Sequence, residues 1–259
     1  MAVYLGSSEV GLNTAYNSGI IPSGTSTITE NGIYNVTNFA SASVNVSGSG
    51  FTVDDIAMRT ISGDISGSAT TIGSYAFHSC SALTAASFPN VTSIGSSAFG
   101  YCSALTAASF PNVTSIGDYA FYRCLSLTTV SFPNATSIGD YAFAYCRESL
   151  SAVSFPNVTS IKQRAFYSCN SLTTASFPSV ASIGESAFYA CYNLISLYLN
   201  SISAVPTLWG ASTFFNTPIG GRTTSTGGVY GSVYVPASLY SSFLTAENWS
   251  SIAERIVSV

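Results

Sequence analysis

The stretch Ser87–Phe121, SFPNVTSIGSSAFGYCSALTAASFPNVTSIGDYAF, writes nearly the same phrase twice. Extending the alignment along the chain places all six cysteines, Cys80, Cys102, Cys124, Cys146, Cys169 and Cys191, at steps of 22, 22, 22, 23 and 22. A fixed period of that size marks a solenoid, in which one unit is one coil and neighbouring coils bury each other's faces. Three more columns keep the step: Ile72 to Ile183, Phe77 to Phe188 and Leu83 to Leu194. A second aromatic column runs through Phe88, Phe110, Phe132, Phe155 and Phe177 and drifts to Leu199. The extra residue falls between Cys146 and Leu150, in CRESL, and insertions of that kind belong to loops.

Within a unit, Leu127–Pro133 (LTTVSFP) has apolar residues at its first, fourth and sixth positions, the strand pattern of a leucine-rich repeat. Pro-Asn then supplies a turn, because proline fixes φ and asparagine tolerates the dihedrals beside it. TSIGDYAFYRC returns through a short extended piece, a break at the glycine, and one helical or 3₁₀ turn around Ala-Phe. The predicted fold is therefore a solenoid of parallel strands with short helical or 3₁₀ turns, α/β or mostly β.

Composition narrows the partners. The 259-residue chain is 47% apolar but only 7% charged, with seven Lys+Arg and a net charge of −4. No basic cluster exists to release counterions from a phosphate backbone, which argues against nucleic acid, and a polybasic membrane anchor fails on the same ground. No run of about 18 apolar residues predicts membrane insertion. The opening MAVYLGSSEVGLNTAYNSG shows no basic n-region, apolar h-region or cleavage pattern, so no signal peptide is visible in this chain.

The phrase IGDYAFYRCLSLTTVSFPNATSIGDYAFAYC resembles the BspA-like (Treponema pallidum-type) leucine-rich repeats, and the likeness spans about Ile61 to Asn200. Val233–Ile256 (VYVPASLYSSFLTAENWSSIAERI) looks like the closing cap of that family. The resemblance implies a right-handed solenoid and a binding or adhesive role, often at bacterial surfaces, without catalysis. ITENGIYNV, within Thr25–Gly48, is similar to short segments of tail and other structural proteins of phages and prophages of Firmicutes, which implies a virion part as the alternative. The expected organisation is a small β module over 1–50, a capping coil over 51–70 with Ile61 and Ile65 approximating the apolar ladder, repeats over 71–202, and an aromatic, Gly-rich loop with a C-terminal cap over 203–259.

Candidate chemistry is sparse. Cysteines 22 residues apart do not match the spacing of a zinc site, and one histidine, His78, offers no second ligand type. Coils about 4.8 Å apart hold parallel Cβ vectors too far apart for a disulfide, so Cys80 to Cys191 read as a structural ladder of buried thiols. His78 has no G-x-S-x-G elbow or paired carboxylates for a hydrolase, Asp54, Asp55, Asp118 and Asp140 read as solvated edges, and most N-x-T sequons are the repeated Pro-Asn turn. No catalytic, metal or cofactor residue is predicted.

Surfaces remain. The concave strand positions, such as Thr84, Ala107, Thr128, Ser151 and Thr173, form a small uncharged ladder without the Trp, Tyr or Arg that dominate interfaces. The aromatics lie elsewhere: Tyr75, Tyr101, Tyr119, Tyr122, Tyr141, Tyr145, Tyr167 and Tyr189 flank the Ala-Phe turns, and Trp209, Phe214 and Phe215 follow in the loop. These are the candidate binding surface, rings with hydroxyl tips suited to protein contact or sugar stacking. The expected partner is a protein or glycan on a host or bacterial surface, with the chain extracellular, cell-surface or virion-associated; the alternative role is a spacer in a phage tail.

Overall fold

The computed structural model describes residues 70–221 and 230–259, and before them five strands, β1 (Ala2–Leu5), β2 (Ser8–Gly11), β3 (Ser26–Ile28), β4 (Ser43–Val46) and β5 (Ser62–Gly67). From residue 70 each coil has three sides. The first is a longer strand: β7 (Ala82–Ser87), β9 (Ala107–Ser109), β11 (Thr129–Ser131), β13 (Ala152–Ser154), β15 (Thr174–Ser176) and β17 (Ser196–Tyr198). The second is a two-residue strand: β6 (Thr71–Ile72), β8 (Ser93–Ile94), β10 (Ser115–Ile116), β12 (Ser137–Ile138), β14 (Ser160–Ile161), β16 (Ser182–Ile183) and β18 (Thr207–Leu208). The third is the segment from the glycine to the cysteine. Pairing is parallel and steps by one repeat, Ala85 on Ala107 and Ser115 on Ser137, so each residue meets the corresponding position of the next coil.

The sheet crosses the expected boundary at residue 50, because β3, β4, β5 and β7 pair in parallel order, and β1 lies antiparallel between β3 and the edge strand β2. Asp54, Asp55 and Ile61 lie outside the described residues.

The third side differs from the expected helical or 3₁₀ turn. Backbone donors alternate between two uses. Ala76, His78 and Cys80 donate to the residue three back (Gly73, Tyr75 and Phe77), whereas Tyr75, Phe77 and Ser79 donate to Ser96, Ala98 and Gly100 of the next coil at 2.7–2.9 Å. Alternation of this kind needs a left-handed residue before Ala-Phe and another before Cys. Tyr75 and Ser79 have φ of 62° and 63°, and each later coil repeats the pair, down to Ser186 and Ala190. The segment is thus a third hydrogen-bonded ladder that leaves its main-chain donors satisfied.

Inside the three sides lie two stacks of phenylalanine. Phe121, Phe143 and Phe166 are fully buried and nearly parallel, with ring centroids 5.2 and 5.3 Å apart. Phe132 and Phe155 belong to the second stack and meet the first edge-on or tilted. Ile, Ala, Cys, Leu and Val columns fill the rest of the core.

All six cysteines are buried thiols. The structure adds a hydrogen bond to the ladder. The Cys124 Sγ donates to the Phe99 carbonyl at 3.1 Å, and that carbonyl also accepts the Cys102 N–H at 3.2 Å; Cys146 and Cys169 repeat the arrangement on Phe121 and Phe143. Cysteine suits the column because it packs as a small hydrophobe and still supplies a donor. Burial pushes the Cys146 thiol up to about 12 and raises Cys102, Cys124 and Cys169 as well. The thiolate is disfavoured in the folded chain and free to form in the unfolded one, so this stabilisation is complete below about pH 8.5 and is lost as pH rises toward 12. Stability should fall steeply across that alkaline window. Iodoacetamide should label no cysteine in the native protein at pH 8 and six after denaturation; rapid native labelling would contradict the buried ladder.

The segment from Ser203, expected as a loop, is a seventh coil. Leu208 pairs with Ile183, Phe188 N donates to Thr213 O, Ala190 N donates to Phe215 O, and Phe214 stacks on Phe188 at 5.8 Å. Thr217 replaces the cysteine and donates its hydroxyl to Phe214 O at 2.6 Å. Beyond it, β19 (Ser232–Val235) and β20 (Ile256–Ser258) extend the longer-strand sheet, and a short helix, α1 (Tyr240–Thr245), precedes Trp249.

Trp249 closes the end. In the sixth coil the Ala181 and Ile183 carbonyls receive Thr207 N–H and Trp209 N–H from the seventh. The matching carbonyls of the seventh coil, Pro206 and Leu208, receive Trp249 Nε1 and Asn248 Nδ2, both at 2.7 Å. Two side chains therefore stand in for the backbone of a missing eighth coil. Trp249 is fully buried between Phe214 and Phe243, 5.8 and 5.0 Å away.

The longer-strand sheet has one interruption. β11 and β13 belong to different sheets, and the break coincides with the extra residue between Cys146 and Leu150. The other two ladders run through, with β12 paired to β14 and Tyr141, Phe143 and Tyr145 donating to Gln163, Ala165 and Tyr167.

Candidate functional site

The third ladder decides where the aromatic residues go. Its core positions carry Ala, Phe and Cys, so the positions between them point outward, and the left-handed ones occupy the corners. Tyr75, Tyr119 and Tyr141 sit at the first left-handed position and Tyr101 and Tyr145 at the second, with φ between 54° and 63°. Tyr122, Tyr167 and Tyr189 share the column of His78, just after Phe.

These rings form one continuous stripe. Tyr75 touches His78 and His78 touches Tyr101 at centroid distances of 5.5 and 5.3 Å. The chain of contacts continues through Tyr122, Tyr145, Tyr167 and Tyr189 to Phe215, with each step between 5.0 and 5.4 Å. Tyr119 joins beside Tyr122 at 5.5 Å and stacks on Tyr141 at 4.8 Å. Tyr75, Tyr101, Tyr119 and Phe215 are exposed, and Tyr122, Tyr141, Tyr145, Tyr167 and Tyr189 are half-buried. Desolvation by the adjoining groups raises the Tyr119 phenol above its ordinary range, and the neighbouring Tyr141 and Tyr122 add to the shift.

Phe214 leaves the candidate set. Only 3% of it is exposed, because it continues the Phe188 stack and supports Trp249. Trp209 is 68% exposed and lies apart from the stripe, one position past Leu208 on the second side.

Three arginines belong to the stripe and were not among the expected residues. Arg123 lies 5.3 Å from the Tyr145 ring centroid and 5.8 Å from Tyr101 and Tyr122, Arg147 lies 4.5 Å from Tyr145, and Arg164 lies 5.4 Å from Tyr141, whose hydroxyl it hydrogen-bonds. These are three of the seven cationic residues in the chain. The signal for them was present in the columns, since Arg123 occupies the place of Tyr101 and Tyr145, and Arg164 that of Tyr141.

Backbone strain separates this surface from a simple cover. A bulky residue at positive φ costs about 1–2 kcal/mol that glycine or asparagine would avoid. Tyrosine at five such corners therefore opposes the local backbone preference, and residues of that kind cluster at sites of function.

The strand side is different. Its threonine hydroxyls are turned back on the backbone, Thr106 to Thr84 O at 2.9 Å and Thr128 to Thr106 O at 2.8 Å. Two tyrosines absent from the expected ladder, Tyr198 and Tyr234, stack 4.7 Å apart at its C-terminal end. Among the described residues no three His, Cys, Asp or Glu side chains are grouped to hold a metal ion, and no helix is long and apolar enough to cross a membrane.

A family model for the BspA type leucine rich repeat region matches the chain in six copies, over residues 12–116, 70–195 and 136–217. The solved structure of the T. pallidum leucine rich repeat protein is 26% identical, with 71% of this chain and 78% of that one covered and a TM-score of 0.52. A leucine rich cell surface protein of Faecalibacterium prausnitzii A2-165 is 23% identical over 86% of this chain and 76% of its own, with a TM-score of 0.42. No curated protein matches the sequence.

Proposed function

Because this chain belongs to the BspA-type leucine-rich repeat family, whose members are typically non-enzymatic recognition or adhesion modules, we propose that it binds a protein on a host or bacterial surface through the Tyr–Arg stripe. It works outside the cell that makes it. The observation that carries this reading is the unbroken run of ring contacts from Tyr75 to Phe215, with Arg123, Arg147 and Arg164 laid over it. Tyrosine and arginine are the residues that dominate protein interfaces, and rings held by their neighbours lose little conformational freedom on contact. At about 4.8 Å per coil the stripe is on the order of 30 Å long, the width of a standard interface.

The test begins with an array of extracellular and cell-surface proteins probed with the intact chain. Tyr101→Asn, Tyr119→Asn and Tyr145→Asn combined should weaken a captured partner by at least about 30-fold. Asparagine is chosen because it tolerates positive φ, so the triple variant should melt no lower than the parent by more than a degree or two. Ser109→Lys and Ser131→Lys, on the strand side, should leave binding intact. Binding lost through the serine changes and kept in the tyrosine variant would move the site to the strand side. A chain that captures nothing on the array would favour the role of a spacer in a phage tail.

A further inference from the structure

An open groove of about 320 Å³ lies on the side of the short strands, beside the stripe but not part of it. It is lined by Asp140, Lys162, Gln163, Gly184, Glu185 and Trp209 together with Ser160, Ile161 and Ser182. Its shape follows from an irregular glycine column. At Gly184 a Cβ would lie 2.5 Å from the Gln163 nitrogen, so the floor there is bare backbone. The same column carries Lys162 on one side of that floor and Trp209 on the other. The tryptophan is the most exposed large aromatic among the described residues.

From this geometry we infer that the groove is a binding site for an uncharged saccharide. The indole offers an open apolar face against which the C–H face of a pyranose can lie. Opposite it stand groups that hydrogen-bond hydroxyls: Gln163 donates to Glu185 at 3.3 Å, which orients both and leaves the carboxylate capacity for further donors. Ser182 donates to Ser160 at 3.3 Å along the same wall. One wide polar surface and a single aromatic plate match a ring of alternating C–H and O–H groups better than a peptide, whose side chains need separate apolar pockets. Charge decides between sugars. Lys162 is already engaged with Asp118 at 3.6 Å, so Asp140 and Glu185 leave the groove negative and disfavour sialylated or sulfated ligands. This site rests on reading the chain as a recognition module and not on the stripe.

The experiment uses a feature of the chain itself. Its two tryptophans differ completely in access, Trp209 at 68% exposed and Trp249 fully buried, so acrylamide quenching of native fluorescence reports on Trp209. The intact protein is titrated with tetrasaccharides of glucose, galactose, mannose and N-acetylglucosamine, and with sialyllactose and a mixed peptide pool as contrasts. At least one neutral tetrasaccharide should protect Trp209 saturably and shift its emission to the blue. Glu185→Ala and Gln163→Ala should each weaken that protection at least tenfold at unchanged melting temperature, and Trp209→Ala should abolish binding measured by calorimetry. The Tyr101, Tyr119 and Tyr145 variant should bind the saccharide as the parent does. Absence of protection by every neutral saccharide, protection by sialyllactose or peptide alone, or protection indifferent to Glu185 and Gln163 would overturn the assignment. The stripe would be untouched by any of these results, because its partner is scored separately on the protein array.

Discussion

Phe143→Ala should lower the melting temperature by on the order of 10 °C. The ring is fully buried, stacks on Phe121 and Phe166, and fills the angle between Phe132 and Phe155. Truncating a buried phenylalanine costs about 3–5 kcal/mol, and in a chain of this size each kcal/mol shifts the midpoint by about 2–4 °C. Relaxation into the cavity is resisted here, since the backbone on either side is tied to both neighbouring coils: Phe121 N of the preceding coil donates to Ala142 O, Phe143 N donates to Ala165 O of the next, and Phe143 O accepts Cys146 N and the Cys169 thiol. The contrast is Tyr119→Asn, which removes a surface ring from a left-handed corner and should change the midpoint by no more than a degree or two. Comparable shifts for the two variants, measured by calorimetry at one protein concentration, would refute the division into core and stripe columns.

Trp249→Ala should be as costly in energy and different in kind. Loss of the indole removes a fully buried ring, about 3–5 kcal/mol, and leaves the Pro206 carbonyl without its partner. In a stack of coils stabilised by nearest neighbours, damage at an end frays inward. Hydrogen exchange should therefore accelerate first at Thr207, Thr213 and Phe215 and only later at Phe99 and Phe121. Phe143→Ala, in contrast, should loosen the middle. Uniform acceleration along the chain in the Trp249 variant would mean that the solenoid unfolds as a single cooperative block and that the end has no separate stability.

Much of the architecture could be read from columns. The Phe, Ile, Leu and Cys ladders were legible because a parallel stack brings each residue onto its own repeat, and six nearly equal units make the pattern hard to miss. What escaped was set by backbone geometry. Left-handed dihedrals at Tyr75 or Ser79 leave no mark in composition, since the same positions also hold Arg, Ser and Ala. The seventh coil is hidden in the sequence because Leu208 replaces Ile, Thr217 replaces Cys, three extra residues precede Leu208 and one more intervenes near Gly210; its place is fixed by hydrogen bonds such as Phe188 N to Thr213 O. Phe214 becomes legible as a core residue only once that coil is in place. Among site residues, the columns display the tyrosines but not the grouping of Arg123, Arg147 and Arg164, because charge is scarce over the whole chain and only the fold collects it along one side.

The way the C-terminal end is closed bears on how such a protein can change over generations. Trp249 and Asn248 grip two main-chain carbonyls and one phenylalanine, and every coil from Phe77 onward offers its own phenylalanine and the same kind of carbonyls. The closing segment is therefore indifferent to how many coils precede it. Duplicating or deleting one unit in the gene would insert or remove a whole turn in register, lengthening or shortening the molecule by about 4.8 Å without any new terminus. Reach becomes a quantity that recombination can adjust in steps, while the identity of each step is left to point mutation at the corners.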